Sequence, residues 1–372
     1  MSLPHNDCEV DSRALTRYVS EPRLASRMPS LDGIRAVSFL IVLLGHAAPS
    51  HMPIGPDFGV TVFFFLSGFL ITTLMRSEFE RNGSINVRHF YLRRALRILP
   101  PFLVVWLGAT LLALLLYPRG TLYGPTMAAQ LLFYANYEGL YGLNREAPGT
   151  GVVWSLAVEE HFYLLFPWLF IVLQKWRMPR RAQAWLLWAL CGLILAWRLV
   201  LTLLMHSGSS RIFLATDTRV DSILFGCALA LYHNPALDKP TETPSLWKYL
   251  LLPAGLVALA LTFVDNGVVY RQTGYFTAQG LVLTVLFTAA IRFYNWPLFR
   301  LLNTRPVIFI GVLSYSLYLL HEVVLRAVAQ LWPQLTAPSR AAISLAVAMS
   351  LAWLIYRVIE MPCARLRKQF TN

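Results

Sequence analysis

The chain has 372 residues, of which 56% are hydrophobic and only 14% charged, where a soluble domain carries roughly 25% charged. That leaves too little polar surface to coat a water-soluble globule, so the fold expected is an all-α integral membrane bundle. The net charge of +13 does not indicate a nucleic-acid partner, because the basic residues sit in the gaps between apolar runs rather than on one face. Four cysteines, Cys8, Cys191, Cys227 and Cys363, are scattered in the sequence and form neither a disulfide framework nor a metal motif.

Residues 1–30 are polar and hold no apolar stretch of the kind a signal peptide needs; they are expected to be a disordered cytoplasmic tail ahead of one transmembrane domain over 31–370. Apolar runs follow at about 34–50, 58–75, 98–117, 152–173, 183–205, 220–233, 246–265, 275–293, 307–328 and 340–359. A spanning helix needs about 20 residues, so the first and sixth are short, with charged borders that extend them. A stretch at 125–137 is too polar and too brief to cross. About ten spans result.

Charge sets the direction of the chain. With the N-terminus cytoplasmic, 24 of the Lys and Arg residues fall in inner segments and 6 in outer ones, leaving only Arg198 and Arg326 within spans. That satisfies the positive-inside rule and puts both termini in the cytoplasm.

Ionisable groups inside membrane helices are costly and mark functional candidates. Arg35 opens the first span and His46 follows eleven residues later, about 16 Å further along a helix rising 1.5 Å per residue. Glu159 lies roughly two turns below the outer end of the fourth span, with Ser155 on the same face. Arg198 is in the fifth span, Arg219 and Asp221 open the sixth, and the ninth carries Ser314, Tyr315, Ser316, Tyr318 and His321. Five helices thus place polar groups at similar depth. His46 suits either a packed histidine or a functional one. Arg198 with Asp221 suits a structural ion pair, and His161, two residues from Glu159, faces elsewhere. Ser67 lacks the flanking glycines of a nucleophile elbow, so Ser67-Gly68 suits close helix packing.

Ahead of the third span, Arg93 and Arg97 share a helical face, as do Arg94 and Arg97. Such a cluster suits a topology anchor or anionic lipid, and equally the phosphates of a cytoplasmic donor. No phosphate-binding glycine loop, HExxH or CxxC occurs.

Together these residues resemble the acyltransferase 3 family of bacterial multi-pass enzymes. The resemblance rests on Leu31-Asp32-Gly33-Ile34-Arg35-Ala36 with His46, Phe64-Phe65-Leu66-Ser67-Gly68-Phe69, Phe90-Tyr91-Leu92-Arg93-Arg94 through Arg97, and Trp154-Ser155-Leu156 through Glu159 to Phe162-Tyr163. Arg219-Val220-Asp221, Ser314-Tyr315-Ser316-Leu317-Tyr318 before His321, and Glu360-Met361-Pro362 extend it in family order. It implies acyl-CoA, most commonly acetyl-CoA, as donor and a hydroxyl as acceptor, in the bacterial inner membrane and without a metal. It maps the family's Arg-x10-His pair onto Arg35 and His46, its Arg-x-x-Arg onto Arg94 and Arg97, and its carboxylate onto Glu159. The family's usual glutamine after Glu160 is His161 here, and the chain resembles the stand-alone form without a fused hydrolase-like domain.

The expectation is therefore a catalytic pair, His46 as base with Glu159 orienting its ring, and donor binding by Arg35, Arg93, Arg94 and Arg97. Ser155, Arg219, Asp221, Tyr315 and His321 are the candidates for acceptor contact. A covalent acyl-histidine is another use of the same ring. The outer loop at about 118–151, with Tyr123, Phe133, Tyr134, Tyr137 and Tyr141, suits a sugar ring of a lipid-linked or growing polysaccharide. A macrolide or similar metabolite is the rival acceptor, and a polar-lipid transporter or flippase the rival class.

Overall fold

Every long apolar run becomes a helix, and no strand occurs among the described residues. The computed structural model describes residues 28–48, 52–118, 121–141, 146–240, 242–265 and 267–370. The tail expected over 1–30 lies outside these except for its last three residues. Parts of the outer loop, 119–120 and 142–145, also lie outside them.

The elements in chain order are α1 (Leu31–Ala47), α2 (Pro56–Asn82), α3 (Val87–Leu116), α4 (Gly124–Leu131), α5 (Ala135–Tyr141) and α6 (Val153–Lys175). Next come α7 (Arg180–Leu204), whose last turn is π-helical, α8 (Ser209–Leu214), α9 (Thr216–Arg219), α10 (Asp221–Tyr232) and α11 (Pro244–Leu261). The chain ends with α12 (Val268–Gln272), α13 (Gly274–Arg292), α14 (Pro297–Arg300), α15 (Arg305–Leu331) and α16 (Ala337–Lys368).

Eight of these helices, α2, α3, α6, α7, α11, α13, α15 and α16, are long and apolar enough to cross a membrane. The chain is thus an all-helical, multi-pass membrane protein. The first and sixth expected spans form α1 and α10, of 17 and 12 residues, shorter than the about 20 that a straight crossing needs. The stretch at 125–137 forms the short helices α4 and α5.

Burial separates inner from outer helices. The apolar window of α2 is 89% buried, against 33% for α3, 22% for α7 and 17% for α11, so α2 is the central rod. Along α3, Leu107, Leu111, Leu114 and Leu115 are exposed while Phe102, Val105, Ala109 and Ala113 are buried. One stripe therefore faces the bundle and the other suits lipid. The third span was expected to begin near 98; its helix begins at Val87 and continues through Pro100 and Pro101. The arginine cluster consequently belongs to the same rod as the span.

The central crossing is α2 against α10. Gly68 meets the backbone of Ile223, and Gly226 meets the backbone of Phe65; a Cβ at either position would collide with main chain. Alpha-helical backbones approach this closely only over small residues. The start of α1 is fixed elsewhere: Ser30, left-handed at φ 67, accepts through its Oγ from Asn303 and donates to the Ala290 carbonyl, while its backbone N–H donates to the Asn303 side chain. These bonds set where Arg35 lies along the bundle.

Candidate active site

Helices α1, α2, α3, α6 and α15 line a partly open cavity of about 100 Å³. Its polar wall carries Arg35, Arg94, Arg97, Glu159 and Tyr163, and Ser155, Tyr315 and Tyr318 also line it. One turn of α6 separates Glu159 from Tyr163, so both face inward. The Tyr163 hydroxyl donates to Glu159 Oε2 at 3.3 Å. Since that proton is committed, its oxygen accepts from Ser67 Oγ on α2, 2.5 Å away. Ser67, expected only to assist packing, thereby joins the cavity wall.

The arginines at this end differ in their attachments. Arg35 pairs with Asp32 one turn away at 2.7 Å. Arg94 lies 5.1 Å from the Tyr163 ring centre. Neither Arg94 nor Arg97 has a hydrogen bond or ion pair among the described residues. Two half-buried guanidinium forks that no carboxylate contacts directly, three residues apart on one helix, are suited to hold phosphate oxygens. Arg93 points elsewhere: it donates to Glu78 at 2.9 Å and to the Phe370 carbonyl at 2.7 Å, tying α3 to the C-terminal segment.

Eleven residues make three turns plus about 20°, so Arg35 and His46 share one face of α1, with Phe39 and Val42 buried between them. His46 Nδ1 lies 3.0 Å from His321 Nε2 on α15, with ring centres 5.1 Å apart. His321 is fully buried, and its Nδ1 is 2.6 Å from the Tyr318 carbonyl. His46 itself is exposed. Glu159, expected to orient the His46 ring, instead accepts from Tyr163; the ring's partners are His321 and the Val42 carbonyl.

Tyr318 connects the two halves of the site. Its ring lines the cavity, sits 5.6 Å from His321 and makes an edge contact with Phe63 at 5.9 Å. Its hydroxyl is 2.7 Å from Ser155 Oγ. A single residue layer therefore divides the arginine-walled cavity from the histidine pair. Tyr163 and Tyr318 stand in the sequence motifs but not among the candidate site residues; a further local signal was their spacing, four residues from Glu159 and three from His321.

The remaining candidates sit apart or serve packing. Tyr315 donates to the Ile98 carbonyl at 2.9 Å and lines the cavity. Arg198 and Asp221, both fully buried, form an ion pair at 2.7 Å, between α7 and α10. Arg219, a candidate for acceptor contact at the start of the sixth span, is wholly buried under the Phe276 ring at 3.5 Å. His161 hydrogen-bonds Thr216 at 2.8 Å and thereby docks α9 on α6. Neither Arg219 nor Asp221 lines the cavity.

Comparison with known proteins adds to this geometry. The chain is 30% identical over 356 residues to a peptidoglycan O-acetyltransferase, OatA, of Listeria monocytogenes, an alignment covering 90% of this chain and 55% of the relative. It is 28% identical over 347 residues to the O-acetyltransferase OatA of Staphylococcus aureus, covering 90% and 57%. The chain thus spans little more than half the length of these curated relatives. No solved structure matches it. The family described as an acyltransferase domain matches residues 28–357, which takes in every helix of the cavity and both histidines: the chain belongs to the acyltransferase 3 family.

Proposed function

We propose that this chain is a membrane O-acyltransferase that moves an acyl group, acetyl first, from cytoplasmic acyl-CoA to a sugar hydroxyl on the other side of the bilayer. The observation that carries the reading is the pair of guanidinium groups, Arg94 and Arg97, with no hydrogen-bond or ion-pair partner among the described residues, at the wall of a cavity whose far side borders an exposed imidazole. The fit with the donor is chemical and steric. Unpaired forks suit its phosphates, and about 100 Å³ is well below the roughly 300–1,000 Å³ that encloses a drug-sized ligand. The space suits a narrow arm rather than a nucleotide.

Acyl-CoA supplies an activated carbonyl carbon and a thiol leaving group. Arg94 and Arg97 hold its phosphates, and Arg35, Glu159 and Tyr163 wall the passage for its arm. His46 Nε2 removes the acceptor hydroxyl's proton as that oxygen bonds to the carbonyl carbon. The carbon–sulfur bond then breaks, and the His46 imidazolium returns the proton to the departing thiolate. The products are an ester and a free thiol.

The acceptor is a sugar of an extracytoplasmic or lipid-linked polysaccharide. The name of the Listeria relative supports this choice, as do the tyrosines of the outer loop. In this reading α1 and α10 complete ten crossings, residues 31–370 form one transmembrane domain in a bacterial inner membrane, and both termini are cytoplasmic. The test is acceptor-dependent release of free thiol from acetyl-CoA by the purified protein. His46→Ala, correctly inserted, is expected to lose that release; undiminished turnover would end the reading.

A further inference from the structure

We infer that His321 is a positioning residue that fixes the tautomer of His46, presenting a bare Nε2 to the acceptor. This rests on the reading of His46 as the base.

The hydrogen bonds determine where each proton lies. The Tyr318 carbonyl can only accept, so His321 Nδ1, 2.6 Å from it, carries a hydrogen. A neutral imidazole holds one hydrogen, which leaves His321 Nε2 as an acceptor. That nitrogen lies 3.0 Å from His46 Nδ1, which must then be the donor. His46 Nε2 is left with its lone pair. The alternative, a doubly protonated His321, would place a cation on a fully buried ring that has no carboxylate in contact among the described residues, at a large desolvation cost.

His321 is itself held on three sides. The Phe39 ring makes an edge contact at 6.0 Å, the Tyr318 ring lies at 5.6 Å, and the Tyr318 carbonyl receives its Nδ1–H. The pairing also serves the transfer step. When His46 takes up a proton, its Nδ1–H becomes a charge-assisted donor to His321, and such bonds are about twice as strong as neutral ones. A carboxylate could do this more strongly, as in serine hydrolases, but would leave a buried charge in the resting state; histidine avoids that. The relay from Tyr318 also binds the histidine pair to the cavity wall, because the same residue is fixed at its hydroxyl by Ser155.

The test begins with a measurement that needs no turnover. In protein labelled with nitrogen-15 in its histidine rings, the His46 signals are identified by their loss in His46→Ala. At neutral pH His46 is expected to carry its hydrogen on Nδ1, and a resting ring protonated on Nε2 alone would overturn the proposal. Turnover of acetyl-CoA with a soluble chito-oligosaccharide supplies the second arm. His321→Leu is expected to shift the tautomer balance and lower kcat about 10²-fold, with KM for acetyl-CoA unchanged. His321→Gln, whose side-chain oxygen can accept the same hydrogen bond, recovers most of that loss. A His321→Leu protein that keeps both tautomer and kcat, or a His321→Gln protein as impaired as His321→Leu, would refute the positioning role. Undiminished turnover by His46→Ala would instead remove the base reading, and this role with it, whatever the tautomer.

Discussion

Arg94 and Arg97 differ from Arg76, Arg93 and Arg198 in what they lack. Arg76 is bound to Glu80 and Asp238, Arg93 to Glu78 and Arg198 to Asp221; each is committed to holding helices together. Losing a hydrogen bond to a charged group costs about 1.5–3 kcal/mol, roughly 10- to 100-fold in binding. Arg94→Ala or Arg97→Ala is therefore expected to raise KM for acetyl-CoA by that factor in initial-rate measurements. Arg94→Lys should recover only part, since an ammonium cannot reproduce the fork. Unchanged KM in both alanine variants would remove them from donor binding. The fully buried Arg198–Asp221 pair predicts a different result. Arg198→Ala strands a carboxylate, at a cost of about 3–5 kcal/mol, and should lower thermal stability in detergent, whereas Arg198→Met with Asp221→Leu should cost less. Single residues such as Arg97 and Glu159 are conspicuous in the sequence because charge is rare in apolar runs. Their partners are not: His46 meets His321 across 275 positions, and helical periodicity reports only the face each residue occupies on its own helix.

At the scale of elements, apolar runs located the eight long helices and the shorter α1 and α10, because an uninterrupted apolar stretch in a membrane can satisfy its backbone only as helix. The boundaries were less legible. Arg88, Arg93, Arg94 and Arg97 lower the hydropathy ahead of residue 98, yet their spacing continues the helix, and α3 starts at Val87. The α2–α10 crossing depends on Gly68 and Gly226, so Gly226→Ala is expected to force the helices apart. Overpacking costs about 1–3 kcal/mol; reduced yield and a lower unfolding temperature in detergent would register it. The link after α10 behaves differently with pH. Burial alone would raise the Asp238 carboxyl, but hydrogen bonds from Arg76 and from the Asn234 backbone hold it below the ordinary range. A depressed folded value means the bond's stabilisation is fully present above the unfolded value of about 3.9. It is lost as pH falls through the lower folded value. Hydrogen exchange in residues 233–240 should rise below about pH 4, and Asp238→Asn should show faster exchange already at neutral pH.

The whole molecule is a central rod, α2, ringed by helices that share it unequally, with the cavity on one side of that rod and the Arg198–Asp221 pair on another. In the proposed orientation Arg177 and Arg300 face the cytoplasm, while Ser210 and Gln334 face outward; all four are exposed. Cysteines placed singly at these positions are expected to react with a membrane-impermeant maleimide on intact cells only at 210 and 334. Labelling at 177 or 300 would reverse the topology and with it the side from which the donor enters.

One rigid helix, α1, carries both Arg35 and His46, so the distance between the two ends of the reaction is written in a count of residues. Inserting one residue between them would lengthen that span by only about 1.5 Å but swing one end round by about 100° relative to the other. His46 would then leave His321 while Arg35 kept its seat beside the cavity. In this chain phase, more than reach, is the quantity that a change of chain length would disturb.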